Sequence, residues 1–325
     1  MFDPRKRYDY HIYGELVVVN VESNPEFRYE ALSYEWNSES HTSESIFIND
    51  QMVTVGANLV DALKRIREQD NEKCLWIDAI CINQRDLGER NRQVALMGLI
   101  YSQAQRVIVW LGPERQESDK AMKVLARCTI PGIIYGPGHA KENLRILCPD
   151  LVGRMDTWRA VKKLLTERTY WKRVWIVQEI VLAQKITLCC GSRSAPWEAL
   201  DYMTFQFEND LEELHGKILM PENAISQFLF AFLYRNRLQR QNAGAGYRPL
   251  DIFGWLNVTK DSCCAVRRDK LYGILAIAYD GDEVKVDYVK SDLELLRELS
   301  NLYPDDAQLK NIKRLLQLET DSKVA

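Results

Sequence analysis

Histidine is scarce in this chain of 325 residues: only His11, His41, His139 and His215 occur, none close in sequence to another histidine or to a cysteine. That leaves little with which to build a zinc site or a histidine-centred triad. The eight cysteines, Cys74, Cys81, Cys128, Cys148, Cys189, Cys190, Cys263 and Cys264, include two adjacent pairs but no C-x-x-C. Buried, reduced thiols are therefore expected, with no metal. Charge of one sign is also missing. The 43 Lys+Arg against 46 Asp+Glu leave a net charge of -3, too balanced to attract nucleic acid or anionic lipid generally. No apolar run approaches the ~20 residues that span a bilayer; Val174 to Ala183 is interrupted by Gln178 and Glu179. After Met1, the charges of Asp3, Arg5, Lys6, Arg7 and Asp9 break up any secretory apolar segment. A cytoplasmic protein with no membrane span and no nucleic-acid partner is expected. G-x-x-x-x-G-K-[ST], G-x-G-x-x-G after a strand, G-x-S-x-G and H-E-x-x-H are all absent, so ATPase, dinucleotide dehydrogenase, serine hydrolase and zincin readings lose their usual support.

What is present is ordinary globular material, 46% hydrophobic and 27% charged, enough to bury a sizeable core. Gly14 to Val21 and Arg28 to Tyr34 read as strands. Ile46 to Ile48 and Met52 to Val55 flank Asn49-Asp50 as a hairpin. Asn58 is placed to cap a helix carrying Leu59, Leu63 and Ile66. The run Cys74 to Ile82 reads as a strand covered on both faces, interrupted by Asp78. Asp86 and Glu89 have capping-box spacing ahead of a helix with Val94, Met97, Tyr101 and Ala104 on one face. Arg106 to Leu111 and Ile186 to Cys190 are further strands, and Thr169 to Lys185 an apolar helix. This β-α-β alternation predicts a doubly wound parallel sheet over residues 1–195, with an insertion at 114–168 that includes a Pro/Gly-rich stretch, Ile130 to Gly138. From 196 to 325 the signal is mainly helical (197–215, 222–240, 249–260, 267–279 and from Asp292), with a loop at Gln241 to Gly246 and a short strand at Val284 to Tyr288.

Glu179 is the most informative side chain. On a helix its neighbours one turn away are Trp175, Ile176, Leu182 and Ala183, so no cation of its own helix can pair with it. Such a carboxylate either meets a cation from elsewhere or lines a cavity, where desolvation raises its pKa. Asp78, followed by Asn83-Gln84-Arg85-Asp86, is expected at the carboxyl end of its strand, where open α/β sheets bind ligands; the alternative is a structural acceptor for loop N–H groups. Ser33-Tyr34-Glu35-Trp36 ends another strand, and its aromatics suit a stacking wall or ordinary core packing. Arg267-Arg268-Asp269-Lys270 starts a helix against the dipole, as a solvated charge run or a group held for an anion or partner.

Several segments together resemble the fungal heterokaryon incompatibility (HET) domain: Tyr29-Glu30-Ala31-Leu32-Ser33-Tyr34-Glu35-Trp36, Leu75 to Gln84, Glu89-Arg90 through Met97 and Tyr101, Val107 to Gly112, and Arg173-Val174-Trp175-Ile176-Val177-Gln178-Glu179. The Arg268 to Tyr272 segment and Asp287-Tyr288 resemble the C-terminal continuation of such proteins. One departure is Asn37, where the family usually has Gly. The resemblance implies a role in non-self recognition and regulated cell death. More remotely it implies the flavodoxin-like fold of Toll/interleukin receptor (TIR) domains, whose enzymatic members carry W-x-x-x-E and cleave NAD; Trp175 and Glu179 fit that pattern. On this analogy Glu179 is catalytic, Trp175 shapes the pocket, and Ser33, Tyr34 and Trp36 hold base or ribose. Asp78 and Asn83 order the adjacent loop. NAD or a related nucleotide would be substrate, with no resident cofactor, and activation would proceed through self-association or a receptor partner. A non-enzymatic assembly module and a nucleotide sensor without turnover are the alternatives.

Overall fold

The structure is a computed structural model that describes residues 11–36, 42–67, 72–115, 117–127, 155–199 and 250–318. In chain order it contains β1 (Tyr13–Gly14), β2 (Glu30–Tyr34), β3 (Ser43–Ile48), β4 (Gln51–Gly56), α1 (Ala57–Ile66), β5 (Leu75–Trp76), α2 (Asp78–Cys81) and α3 (Leu87–Gln103). Then come β6 (Arg106–Trp110), α4 (Ser118–Arg127), α5 (Met155–Thr166), a 3-10 turn at Thr169–Lys172, α6 (Ile176–Leu182), β7 (Ile186–Cys190) and β8 (Arg193–Pro196). The C-terminal part is helical: α7 (Ile252–Val258), α8 (Asp269–Tyr272), 3-10 turns at Leu275–Ile277 and Gly281–Glu283, α9 (Asp292–Leu302) and α10 (Asp306–Leu316). The fold is thus mixed α/β with a multi-stranded sheet and a C-terminal helical region. The chain divides into two units, one of residues 1–77, 104–171 and 184–231, the other of 78–103, 172–183 and 232–325.

In the first unit a five-stranded sheet has the order β5-β2-β6-β7-β8, parallel except for β8, which pairs antiparallel with β7. Its central strands are buried on both faces. Ala31 to Tyr34 and Val107 to Trp110 are all buried, which is why these stretches read as continuous apolar runs without alternation. A second sheet, β1-β3-β4, holds the expected hairpin. Asn49 and Asp50 both take positive φ, 50° and 59°, the backbone a two-residue turn needs to match the strand twist.

Several expectations are corrected. The first strand is only Tyr13–Gly14, and Val18 is 99% exposed. The Cys74 to Ile82 run is not one strand: β5 ends at Trp76 and Asp78 opens a helical turn, its Oδ1 accepting the Ala79 N–H at 2.8 Å. An Asp at a helix start offers a local acceptor that a strand ladder does not use. α1 is capped by Gly56 without a side-chain bond, because the Asn58 side chain is spent elsewhere. The apolar stretch 169–185 is split into the 3-10 turn and α6, with Arg173 bridging to Cys263 between them. In the same way 267–279 is two short pieces, and 284–288 is not a strand. The expected helix at 197–215 is described only over Trp197 to Ala199, which are helical; the rest of it, the helix at 222–240, the loop at 241–246, the stretch at 130–138 and Asn37 lie outside the described residues. Of the cysteines, Cys189 and Cys190 are buried and Cys263 is exposed, against the expectation of uniform burial.

The second unit is built around α3, α6 and the Leu275–Ile277 turn. Val94, Met97, Ile100 and Tyr101 of α3 are buried, as are Ile176, Val177 and Ile180 of α6. Gly98 faces Ala276 so closely that a Cβ added there would collide with that methyl group, and it would lie 3.5 Å from Leu182. Asp86 accepts the Glu89 N–H at 3.0 Å ahead of α3, and Glu89 reaches back to the Asn83 N–H at 2.9 Å. α9 carries a full capping box between Ser291 and Glu294.

Candidate functional site

In the first unit the polar groups gather at the carboxyl ends of β2 and β6. Ser33, 1% exposed, shares a 2.7 Å hydrogen bond with the Tyr170 hydroxyl from the 3-10 turn. Tyr34 is buried and Trp36 is 36% exposed. The Asn58 amide donates to the Glu35 carbonyl at 2.7 Å, and its oxygen accepts the Trp110 indole N–H at 2.9 Å, so one side chain of α1 ties the ends of two adjacent strands together. The Thr169 hydroxyl donates to Glu35 Oε2 at 2.5 Å. The Arg168 guanidinium donates to the carbonyls of Leu111 and Pro113, both at 3.1 Å. Glu35, Asn58, Trp110, Gly112, Arg168 and Tyr170 line a cavity of about 40 Å³, whereas Ser33, Tyr34 and Trp36 are not among its lining residues. Beside it, Arg115, Ser118, Lys163, Glu167 and Arg168 line a wider depression of about 370 Å³. Gly112 has φ +93° and a Cβ there would lie 3.3 Å from Arg168, so the strand end turns where only glycine is unstrained. From sequence Asn58 is expected only as a helix cap and Tyr170 and Arg168 carry no expected role, since nothing local marks an Asn or Arg whose partners lie 23 to 57 residues away.

The remaining expected residues lie in the second unit. Asp78 is 9% exposed. Asn83, exposed, shapes the loop before α3, its Oδ1 accepting the Arg85 N–H at 3.2 Å. Glu179 is in the first turn of α6 and 1% exposed, and Ile176, Val177 and Ile180 of the same helix are buried as well. Its N–H donates to the Trp175 carbonyl at 3.4 Å, so the two residues are joined by a helical turn. Beside it, the buried Gln178 Nε2 has no hydrogen-bond partner among the described residues. The Trp175 indole N–H donates to Asp269 Oδ2 at 3.2 Å. Asp269 Oδ1 accepts the Tyr288 hydroxyl at 2.7 Å and lies 3.9 Å from Arg90, whose guanidinium sits 3.7 Å from the Tyr288 ring centroid. Burial pushes the Asp269 carboxyl up, partly offset by these donors. The same burial, with the carboxylate beside it, pushes the Tyr288 phenol up.

The charge run at 267–270 proves to be spent within this unit. Arg267 donates to the Gln317 carbonyl, Lys270 to that of Lys260, and Arg268 pairs with Asp292 at 3.0 Å while reaching the Asp287 and Tyr288 carbonyls. Among the described residues no cluster of His, Cys, Asp and Glu is arranged to hold a metal ion, and no helix is long and apolar enough to cross a membrane.

A mixed α/β protein with polar side chains collected at the carboxyl ends of parallel strands is the class these observations define. The particular family follows from comparison: residues 29–179 match the model of the Heterokaryon incompatibility protein (HET) family. Heterokaryon incompatibility protein 6, OR allele, of Neurospora crassa is 29% identical over 311 residues, covering 82% of this chain. The chain spans about half the length of that relative, 46%. No solved structure matches. The matched segment contains Ser33, Tyr34, Trp36, Asp78, Asn83, Trp175 and Glu179, whereas Asp269 and Tyr288 lie beyond it.

Proposed function

We propose that the protein is an effector of fungal non-self recognition and regulated cell death that cleaves the nicotinamide-ribosyl bond of NAD when self-associated. Its core is taken as residues 1–195, TIR-like and flavodoxin-like, with 196–325 as an extension. Strand order supports the topology. β5-β2-β6-β7 follows the 2-1-3-4 sequence of a flavodoxin-like sheet, and the small cavity lies at the switch between β2 and β6, where such sheets bind ligands. The observation that carries the chemistry is the Trp175-x-x-x-Glu179 turn, which places a buried acidic residue in the first turn of α6, one turn from Trp175. Cleavage builds positive charge on the ribose carbon, and a nearby carboxylate stabilises that charge more in the transition state than in bound NAD. Nicotinamide leaves with the electron pair of the glycosidic bond, water adds to the ribose carbon and one proton is released. The Gln178 amide nitrogen, without a partner among the described residues, is the kind of buried group a ligand completes. Ser33, Tyr34 and Trp36 are assigned to base or ribose, Trp175 to shaping the pocket, and Asp78 and Asn83 to ordering the adjacent loop. The cytoplasm, where NAD is available, is the proposed compartment.

The test incubates the purified chain at high concentration with NAD and follows nicotinamide release in wild type and in Glu179→Gln shown folded by circular dichroism. Release by wild type alone is expected, and equal release by both removes the assigned chemistry. The shielding of Glu179, 1% exposed, favours one second reading, a module that signals through protein partners without turnover. That reading replaces the first if neither protein releases nicotinamide while both still kill cells on overexpression.

A further inference from the structure

α6 has seven residues, and no side chain caps its start. A helix this short does not hold its own conformation, because one or two hydrogen bonds cannot offset the dihedrals they fix. Its first turn must be fastened from outside, and the fastening comes from chain beyond the family segment. Val174 N–H donates to the Cys263 carbonyl at 3.0 Å, and Cys263 N–H donates to Lys172. Gly273 packs against this turn so tightly that an added Cβ would lie 3.4 Å from Val174, 3.5 Å from the Trp175 ring and 2.8 Å from the Asp269 carbonyl. The Trp175 indole N–H donates to a buried carboxylate, that of Asp269.

We propose that Asp269 is a positioning residue for the Trp175–Glu179 turn: supplied by the C-terminal region, its carboxylate clasps the Trp175 indole and thereby sets where α6 presents Glu179. The inference rests on the reading of Glu179 given above and extends it to a residue outside the matched domain. Both carboxylate oxygens are engaged, Oδ2 by Trp175 and Oδ1 by Tyr288, with Arg90 facing Oδ1. The clasp is anchored in turn. Tyr288 is stacked under Arg90, its N–H donates to Asn91 Oδ1 at 3.0 Å, and its ring meets Tyr272 edge-on at 5.1 Å between centroids. Arg90 and Asn91 belong to α3, which also packs on α6 near Gly98. Charge-assisted donors at 2.7 to 3.2 Å fix direction more sharply than apolar packing does. A shift of 1 Å at a reacting group costs rate on the order of a hundredfold.

The experiment uses the full chain with Asp269→Asn and, as a milder change, Tyr288→Phe. Two readouts are taken: the Trp175 indole N–H resonance in ¹⁵N-labelled protein, assigned by its loss in Trp175→Phe, and the kcat and KM of nicotinamide release. Asp269→Asn is expected to move the resonance and lower kcat about tenfold or more, with KM changed less than about twofold. Tyr288→Phe is expected to do the same to a smaller degree, and it serves alone if Asp269→Asn does not fold. Adding Asp269→Asn to Glu179→Gln should slow release no further. An unmoved resonance, or a folded variant with wild-type kcat, overturns the clasp. If wild type releases no nicotinamide, the NAD reading has failed by itself, and the resonance still decides whether Asp269 holds Trp175.

Discussion

Asn58 offers the sharpest test of how the strand-end cavity is held open. It is 5% exposed and makes two hydrogen bonds to groups on different strands, the Glu35 carbonyl and the indole of Trp110, itself 3% exposed. Asn58→Ala removes both and strands a buried donor and a carbonyl. Each orphaned buried group costs about 1–3 kcal/mol, and the better helix propensity of Ala returns at most ~0.7 kcal/mol, so a net loss of about 1–5 kcal/mol is expected. Trp110→Phe removes the indole N–H together with part of the buried ring system while keeping an aromatic ring. In the double variant the stranded donor no longer exists, so the combined loss should fall short of the sum of the single losses by about 1 kcal/mol. Asn58→Asp refines the argument. The introduced carboxyl can still accept from Trp110 but, once ionised, puts charge against the Glu35 carbonyl. The loss should therefore be largest at neutral pH and shrink as the pH falls and protonation restores a donor. Urea unfolding monitored by amide exchange in β2 and β6 measures all four proteins. An unchanged midpoint for Asn58→Ala, or strict additivity in the double variant, refutes the assignment.

Other consequences can be checked with single measurements. Gly112→Ala places a side chain at φ +93° and 3.3 Å from Arg168, so a loss of about 1–2 kcal/mol or more is expected in thermal unfolding. Gly98→Ala sets a gain in helix propensity of about 1 kcal/mol against a collision with Ala276, for which overpacking costs about 1–3 kcal/mol; net destabilisation with a changed near-ultraviolet signal is the expected outcome. Burial pushes the Cys189 and Cys190 thiols up, whereas Cys263 is exposed. Among the described cysteines, alkylation at neutral pH followed by peptide mass spectrometry should label Cys263 first and the buried pair only on unfolding. Asp269 has its pKa raised in the fold, so its protonated form is favoured there. Its contribution to stability is greatest below the ordinary carboxylate range and falls as pH rises through the elevated value. Wild type should accordingly lose stability relative to Asp269→Asn as the pH is raised from 4, and parallel pH profiles for the two would contradict the burial argument.

Local pattern alone located the pieces that depend on local chemistry. The apolar runs of β2, β6 and β7, the Asn49-Asp50 hairpin, the Asp86 cap and the Trp175-to-Glu179 helical turn are all written in residues a few positions apart, where periodicity and turn propensity act. The motif segments likewise pointed to the family before any coordinates. Pattern failed where two local readings compete. The run around Asp78 is apolar enough for a strand, yet the carboxylate can also open a helix, and only the pairing available to Leu75 and Trp76 ended the strand there. The stretch 169–185 was likewise divided by a backbone bridge from Cys263, some ninety positions away.

Tertiary structure alone decided which polar groups meet. Composition supplied an excess of arginines and carboxylates for any given pairing, and nothing in the order of residues says that Trp175 donates to Asp269 or that Asn58 joins Glu35 to Trp110. Buried donors and acceptors must find partners, but which ones they find depends on distances set by packing many side chains at once. That is why the elements and the family are inscribed in the chain's local chemistry, while the clasp on α6 and the strand-end cavity exist only once the chain has closed on itself.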